Sequence, residues 1–347
     1  MKKYNNILVH SLVNLGDVLL TTSAVALLKQ CYPQAKISMM VRPAVADILQ
    51  DNPLLDEVII YDYKAKHKSV KSMLAFTKEL RKRKFDVSIS FDRKLRPALL
   101  TMLAGIPVRV GPERVFNDKP SWITMLYTHT IKVQHDIVNN LQAETYQAII
   151  RGFTGCQGNA KPVTGKITAA NLANAQALFS TLPAKRHRIA LCVKGTFALK
   201  TWPGDRFAQV VDILSQRYDA AFFIIGAPED RQYADKVASL TKVPVANFCG
   251  KTTLRDLVAL FEQTDLFITV DTGAMHIAAT TKVPIVAIFG CTSPKRWHPL
   301  SDKSKVLFRN LDCCPCAIPE DACPEHKCMD IAVSEVVEAV ETGHFLR

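Results

Sequence analysis

The stretch VDTGAMHIAATTKVPIVAIFG, residues 270–290, reads as the end of a buried strand, a turn, a short helix and a second strand. Short apolar strands separated by helices belong to a parallel sheet covered on both faces. At the turn stand Asp271, Thr272, Gly273 and His276. A turn alone needs none of them, since Ser-Gly or Asn-Gly would make one. The first N–H groups of a helix are unpaired and electropositive, and a glycine there lets a phosphate approach without a Cβ in the way. Thr272 adds a hydroxyl donor. Asp271 would repel a phosphate, which leaves it either to cap the helix or to accept hydrogen bonds from sugar hydroxyls. His276 is either a satisfied core residue or part of the same site.

The same alternation runs through the chain. In the first half NILVH (6–10), ISMMV (37–41), EVIIY (57–61) and DVSISF (86–91) are strands, with helices near 18–30, 44–50 and 69–83. In the second, RIALCV (188–193), AAFFII (220–225), VPVANF (243–248), DLFITV (265–270) and PIVAIF (284–289) are strands. Helices near 204–217, 229–240, 253–262 and 274–281 lie between them. The Gly-, Pro- and Thr-rich stretch 152–170 lacks an apolar period and reads as a linker. The expected domains are 1–160 and 171–330. A last helix within 331–347 carries Val333, Val336, Val337 and Val340 on one face and is expected to pack back on the first domain. Two doubly wound α/β units of this kind take ligands at the C-terminal ends of their strands.

The 347 residues fit two domains of about 150–180 residues each. With 48% hydrophobic and 22% charged residues the chain has the composition of a globular protein. No apolar run is long enough to span a bilayer, and the N-terminus reads as a first strand rather than a signal peptide. The net charge of +12 favours anionic partners. Ten cysteines without an export signal point to reduced thiols in the cytoplasm, with Cys31, Cys192 and Cys249 as small core residues.

Three further stretches carry candidate chemistry. CVKGTFALKTWPGDRF (192–207) leaves a strand with Lys194, Thr196 and Lys200, the directional donor and mobile countercharge that a diphosphate needs. IIGAPED (224–230) sets Glu229 beyond a strand end, where a carboxylate bridges ribose hydroxyls. NLGDVLLTTSAVALLK (14–29) places Asp17 at a strand-to-helix turn, either as a cap or as a general base whose ionised form the helix start favours.

Together LGDVLLTTSA, KGTFALKTWP, GAPED, GKTTL (250–254) and DTGAMHIAATTKVPIVAIFGCTSP resemble the heptosyltransferase family, glycosyltransferase family 9, in order and across both halves. The resemblance implies the GT-B architecture, two Rossmann-like domains facing a central cleft. It also implies an inverting, metal-independent transfer of heptose from ADP-heptose to the inner core of lipopolysaccharide. By that resemblance Asp17 is the base, Thr196 and Lys200 hold the diphosphate, and Lys200 also stabilises the leaving ADP. Glu229 binds ribose, the backbone around Thr252 the adenine, and Asp271 the heptose. Thr272 and Gly273 offer N–H groups to the phosphates, supported by His276. Ser23 stands where the family often has proline, and Gly195 where some members have a threonine.

No cofactor or metal is expected at this site, and no Asp-x-Asp motif occurs. The implied partners are an ADP-sugar, a lipid-linked core acceptor and, peripherally, the cytoplasmic face of the inner membrane; nucleic acid is not expected. The basic run 63–84 reads either as a solvated face or as cationic surface beside a membrane-anchored acceptor. The cysteines and His326 of CCPCAIPEDACPEHKC (313–328) could hold a structural Zn²⁺, but their spacing matches no common pattern and free thiols are the simpler expectation. Rival functions are a related transferase with another donor or acceptor, a GT-B-like nucleotide-sugar epimerase, and a nucleic-acid-binding protein. The last would want aromatic residues among the basic ones, and 63–84 offers only Tyr63 and Phe76.

Overall fold

The first unit, Met1–Lys166, begins β1 (Asn6–His10), α1 (Leu15–Cys31), β2 (Lys36–Val41), α2 (Pro43–Ala46), β3 (Glu57–Ile60) and α3 (Val70–Lys82). It continues β4 (Val87–Ser90), α4 (Leu95–Leu103), β5 (Val108–Pro112), β6 (His129–Ile131) and α5 (Gln142–Thr154). The second unit, Ile167–Arg347, runs α6 (Ala169–Phe179), β7 (His187–Cys192), α7 (Gly204–Arg217), β8 (Ala220–Ile224), α8 (Arg231–Ala238) and β9 (Val245–Asn247). Then follow α9 (Leu254–Phe261), β10 (Leu266–Val270), α10 (Gly273–Ala278), β11 (Ile285–Phe289), α11 (Pro294–Trp297), β12 (Ser304–Phe308) and α12 (Val333–Thr342). The computed structural model describes residues 3–91, 94–114, 121–133, 136, 138–316, 323 and 326–346.

Both sheets are parallel and six-stranded, in the orders β3-β2-β1-β4-β5-β6 and β12-β11-β10-β7-β8-β9. The strands that the sequence marks as continuous apolar runs are the central ones. Ile7, Leu8, Val9, Ile189, Ile268 and Ile288 are fully buried, as strands covered on both faces must be. The strands that carry weaker signals lie at the edges: β6, with exposed His129 and Thr130, and β12, with two lysines at or beside it. Right-handed crossovers put α3 and α4 on one face of the first sheet, in contact with each other, while α1 packs against α5.

The segment read as a linker is held to the first unit for much of its length. Gly165 N donates to Ile48 O at 2.6 Å and Val163 N to the Thr22 hydroxyl at 2.8 Å. A further correction concerns Cys31. It is joined in a disulfide to Cys156, 125 residues away with Cα atoms 6.2 Å apart, rather than serving only as a core residue. The eight other cysteines are free.

In the second unit α12 packs on α7 and along β11 and β12. Val336, Val337 and Val340 close the same core as Trp202 and Phe207; burying Phe207 alone contributes roughly 1.5–3 kcal/mol. Trp202 is completely buried, edge-on to Phe207, with its indole N–H donated to Ile331 O at 3.1 Å. Among the described residues no helix is long and apolar enough to cross a membrane.

Candidate functional site

In a doubly wound sheet the strand order reverses at one point, and the loops leaving the strands there open a crevice. In the second unit that point lies between β7 and β10. The loop after β7 carries Thr196 and Lys200, and the loop after β10 carries Asp271, Thr272 and Gly273. The switch point of the first sheet lies between β1 and β4, and Asp17 follows β1.

The loop from Val193 to Pro203 is fixed at both ends and in its middle. Its exit is anchored by buried Trp202, and buried Leu199 accepts the Cys291 N–H at 3.4 Å. Gly195 N donates to the Thr201 hydroxyl at 3.1 Å, folding the loop back on itself. A Cβ on Gly195 would run into the Lys200 carbonyl, so a side chain at that position has no room in this loop. Thr196 is exposed at the bend.

Lys200 Nζ lies 2.6 Å from Asp271 Oδ2, which also accepts the Thr292 hydroxyl at 2.7 Å. Both charged side chains are largely withdrawn from water, at 17% and 6% exposure. A pair so placed loses much of its Coulombic gain to desolvation and is a weak reason for stability. Asp271 does not cap α10: the N-cap is Thr272, and the Asp271 carboxylate is engaged with Lys200 and Thr292 instead. Thr272 makes no side-chain cap either; its hydroxyl lies 3.8 Å from Cys192 Sγ. The first N–H groups of α10 therefore begin at Gly273 with no intrahelical acceptor.

Toward β8 the site continues through Lys194, whose Nζ lies 2.9 Å from Asp230 Oδ1. The Asp230 hydrogen bond raises the lysine's pKa, and Glu229 adds to the effect. Glu229 itself is exposed on the Pro228–Asp230 turn. Gly250 N donates to Gly226 O at 3.0 Å, which brings the loop bearing Thr252 against the Glu229 loop. Gly250 has φ +73° and rests on Pro228, so a side chain there would be both strained and crowded.

His276 is buried on α10, edge-on to Trp297 with ring centroids 6.4 Å apart, and its Nδ1 has no hydrogen-bond partner among the described residues. Burial lowers its pKa to about 4, with Asp271 opposing and Lys200 assisting, so the ring is neutral near neutral pH. It is neither a satisfied core histidine nor a surface charge.

Cys314, Cys316, Cys323 and Cys328 pack in or against the second unit's core, where Cys316 N donates to Cys291 O at 2.8 Å, while Cys313 is exposed. Burial, with Cys328 and Cys313 adding to it, pushes Cys314 up to about 12. Among the described residues no group of three or more His, Cys, Asp or Glu side chains is arranged to hold a metal ion. Residues 317–322, 324 and 325 of that stretch lie outside the described ones.

In the first unit α1 begins at Leu15, three residues before the expected start. Asp17 therefore sits inside its first turn, and the cap position belongs to Asn14. The Tyr146 hydroxyl on α5 donates to Asp17 Oδ1 at 2.7 Å. Sequence reasoning missed Tyr146, Thr292 and Asp230, because each is recognisable only from what it touches across the fold.

The profile of glycosyltransferase family 9 (heptosyltransferase) matches residues 73–327. The chain is 29% identical over 294 residues to lipopolysaccharide heptosyltransferase 3 of Escherichia coli strain K12, covering 83% of each chain. Its fold is similar to that of a glycosyl transferase family 9 protein from Veillonella parvula, with TM-score 0.86, 24% identity and coverage of 99% and 98% of the two chains. It is similar also to the E. coli ADP-heptose lps heptosyltransferase II, with TM-score 0.80, 23% identity and coverage of 97% and 98%. At such identities the structural likeness concerns the fold, and the two doubly wound α/β units are those expected of the GT-B class.

Proposed function

The chain belongs to glycosyltransferase family 9 (heptosyltransferase), and from that premise we propose that it transfers heptose from ADP-heptose to the inner core of lipopolysaccharide with inversion. The observation that carries this reading is the Lys200–Asp271–Thr292 cluster at the switch point of the second sheet. It offers a cation for a diphosphate and an acceptor for sugar hydroxyls within one side chain's reach of each other. The fold's similarity to the E. coli ADP-heptose lps heptosyltransferase II supports the choice of nucleotide sugar.

In this reading the donor diphosphate draws Lys200 away from Asp271 and onto its own oxygens. Thr196 and the N–H groups of Thr272 and Gly273 add directional hydrogen bonds, and His276 backs the helix start as a neutral ring. Asp271, released, takes the heptose hydroxyls. Glu229 takes ribose, and the backbone around Thr252 takes adenine. In the first unit Asp17, oriented by Tyr146, removes the proton from the acceptor hydroxyl. The oxygen attacks the anomeric carbon opposite the leaving ADP, the C–O bond to ADP breaks, and the configuration inverts.

Negative charge grows on the diphosphate as that bond breaks. Once donor binding has drawn Lys200 onto the diphosphate, the lysine and the fixed N–H groups lower the barrier with no further reorganisation as the bond breaks, which makes this the largest expected contribution. The same groups do the work a divalent cation does elsewhere, so the reaction is proposed to be metal-independent and to persist in excess EDTA. Loss of activity restored by Mg²⁺ would overturn that part. Work on a lipid-linked acceptor implies peripheral contact with the cytoplasmic face of the inner membrane.

The test is incubation with ADP-heptose and defined core-truncated acceptors, with mass spectrometry of both products. Addition of one heptose with release of ADP is the expected result. Transfer from a different nucleotide sugar alone would replace the donor. Turnover of the donor with no acceptor present would favour an epimerase.

A further inference from the structure

Large apolar side chains that stand strongly exposed in the first unit all lie between residues 60 and 125, among the described residues. Val70 and Leu74 are on α3, Leu95 begins α4, and Trp122 and Met125 belong to the single turn Trp122–Leu126. Trp122 is 63% and Met125 83% exposed. These elements adjoin one another: α3 packs on α4, and α4 on the Trp122–Leu126 turn. They form the outer layer on one side of the first sheet.

The apolar side chains are interspersed with positive charge. From Lys64 to Lys84 there are nine lysines and arginines and one acid, Glu79. Among the described residues, ion pairs in this stretch engage only Lys82, with Glu79 at 2.8 Å, and Arg83, with Glu57 at 2.7 Å. Lys64, Lys66, Lys68, Lys71 and Lys78 are exposed. On α3 the core-facing stripe is Met73, Phe76, Thr77 and Leu80, with Phe76 against Tyr61 and His67 at 4.7 Å between ring centroids. Val70, Leu74, Lys78 and Arg81 fall at i, i+4, i+8 and i+11 on a flank about 100° around the helix from that stripe, with Lys71 farther round on the exposed side. A merely solvated helix face has no need of Val70 and Leu74, and a face covered by protein would not keep five uncompensated lysines. Lysines beside apolar anchors and a tryptophan are instead what an interfacial membrane surface uses.

We propose that the outer face of α3, α4 and the Trp122–Leu126 turn docks on an anionic phospholipid bilayer, with Trp122, Met125, Val70 and Leu74 entering the headgroup region and the lysines meeting lipid phosphates. Each lysine at such a surface is worth roughly fivefold in partitioning, and the attraction falls off within a Debye length. The benefit of docking rests on the transferase reading, because a lipid-linked acceptor is presented there. The surface itself lies wholly within the first unit.

The test uses the full chain with vesicles of phosphatidylglycerol and phosphatidylcholine, and with phosphatidylcholine alone, in the absence of donor and acceptor. Sedimentation with the anionic vesicles only, weakening as NaCl rises, is expected. Trp122 emission should move to the blue on binding, and Trp122→Phe should remove that shift, since Trp202 is buried and Trp297 is half-buried against His276 and Arg296 in the second unit. The double variant Lys71→Glu/Lys78→Glu should melt as the parent does and partition at least tenfold less. Unchanged partitioning of that variant overturns the proposal. So does binding to heparin or duplex DNA without any blue shift on vesicles, which would assign the face to a polyanion. Because no transfer is measured, failure here leaves the transferase reading standing. Failure of transfer to a soluble acceptor leaves the docking face standing.

Discussion

Asp17→Asn is expected to lower turnover by about 10² or more while leaving ADP affinity within a few-fold, the size of effect that loss of a general base produces. The substitution keeps the shape of the side chain, and Asn at that place can still accept the Tyr146 hydroxyl. It removes only the basic oxygen. Its effect on the fold should be small for the same reason: the cap of α1 is Asn14, so no helix cap is lost. A titration with ADP and a single-turnover assay on one preparation separate chemistry from binding. A variant that turns over within a few-fold of the parent would return Asp17 to a structural role and send the search for the base elsewhere in the first unit.

How far the sequence led depends on where the information lies. Central strands such as β1, β7, β10 and β11 are unbroken apolar runs because both of their faces are covered, and they were legible for that reason. Helix α7 was legible because its apolar positions are periodic. Helix α5 was not assigned from the sequence. It buries Gln142, Thr145 and Gln147 along with Ile149 and Ile150, and polar residues at core positions blur the period. Candidate residues at strand exits were legible as types, since the parallel sheet forces every such loop to one edge. Their partners were not. Lys200 and Asp271 are 71 residues apart, Asp17 and Tyr146 are 129, and no local pattern records such a pairing. The disulfide partner of Cys31 was hidden for the same reason.

The Lys200–Asp271 contact changes what each single substitution should do. Lys200→Ala removes the diphosphate cation and also leaves the Asp271 carboxylate withdrawn from water with only Thr292 as a partner. ADP and ADP-heptose affinity should both fall, turnover should fall further because charge grows on the leaving group, and the protein should melt lower. Asp271→Asn acts in the opposite sense on ADP. It frees Lys200 from a competing anion, so ADP affinity should hold or rise. ADP-heptose affinity or turnover should fall by about 1.5–3 kcal/mol, the range for a hydrogen bond to a charged acceptor. Calorimetry with ADP and with ADP-heptose on both variants gives four numbers. Opposite effects of the two substitutions on ADP, with a shared loss on ADP-heptose, require that the two side chains exchange partners when the donor arrives. If both variants bind ADP as the parent does, the diphosphate lies elsewhere and the pair is structural. Parallel loss of ADP in both would mean instead that Asp271 holds Lys200 in position for the phosphate rather than competing with it.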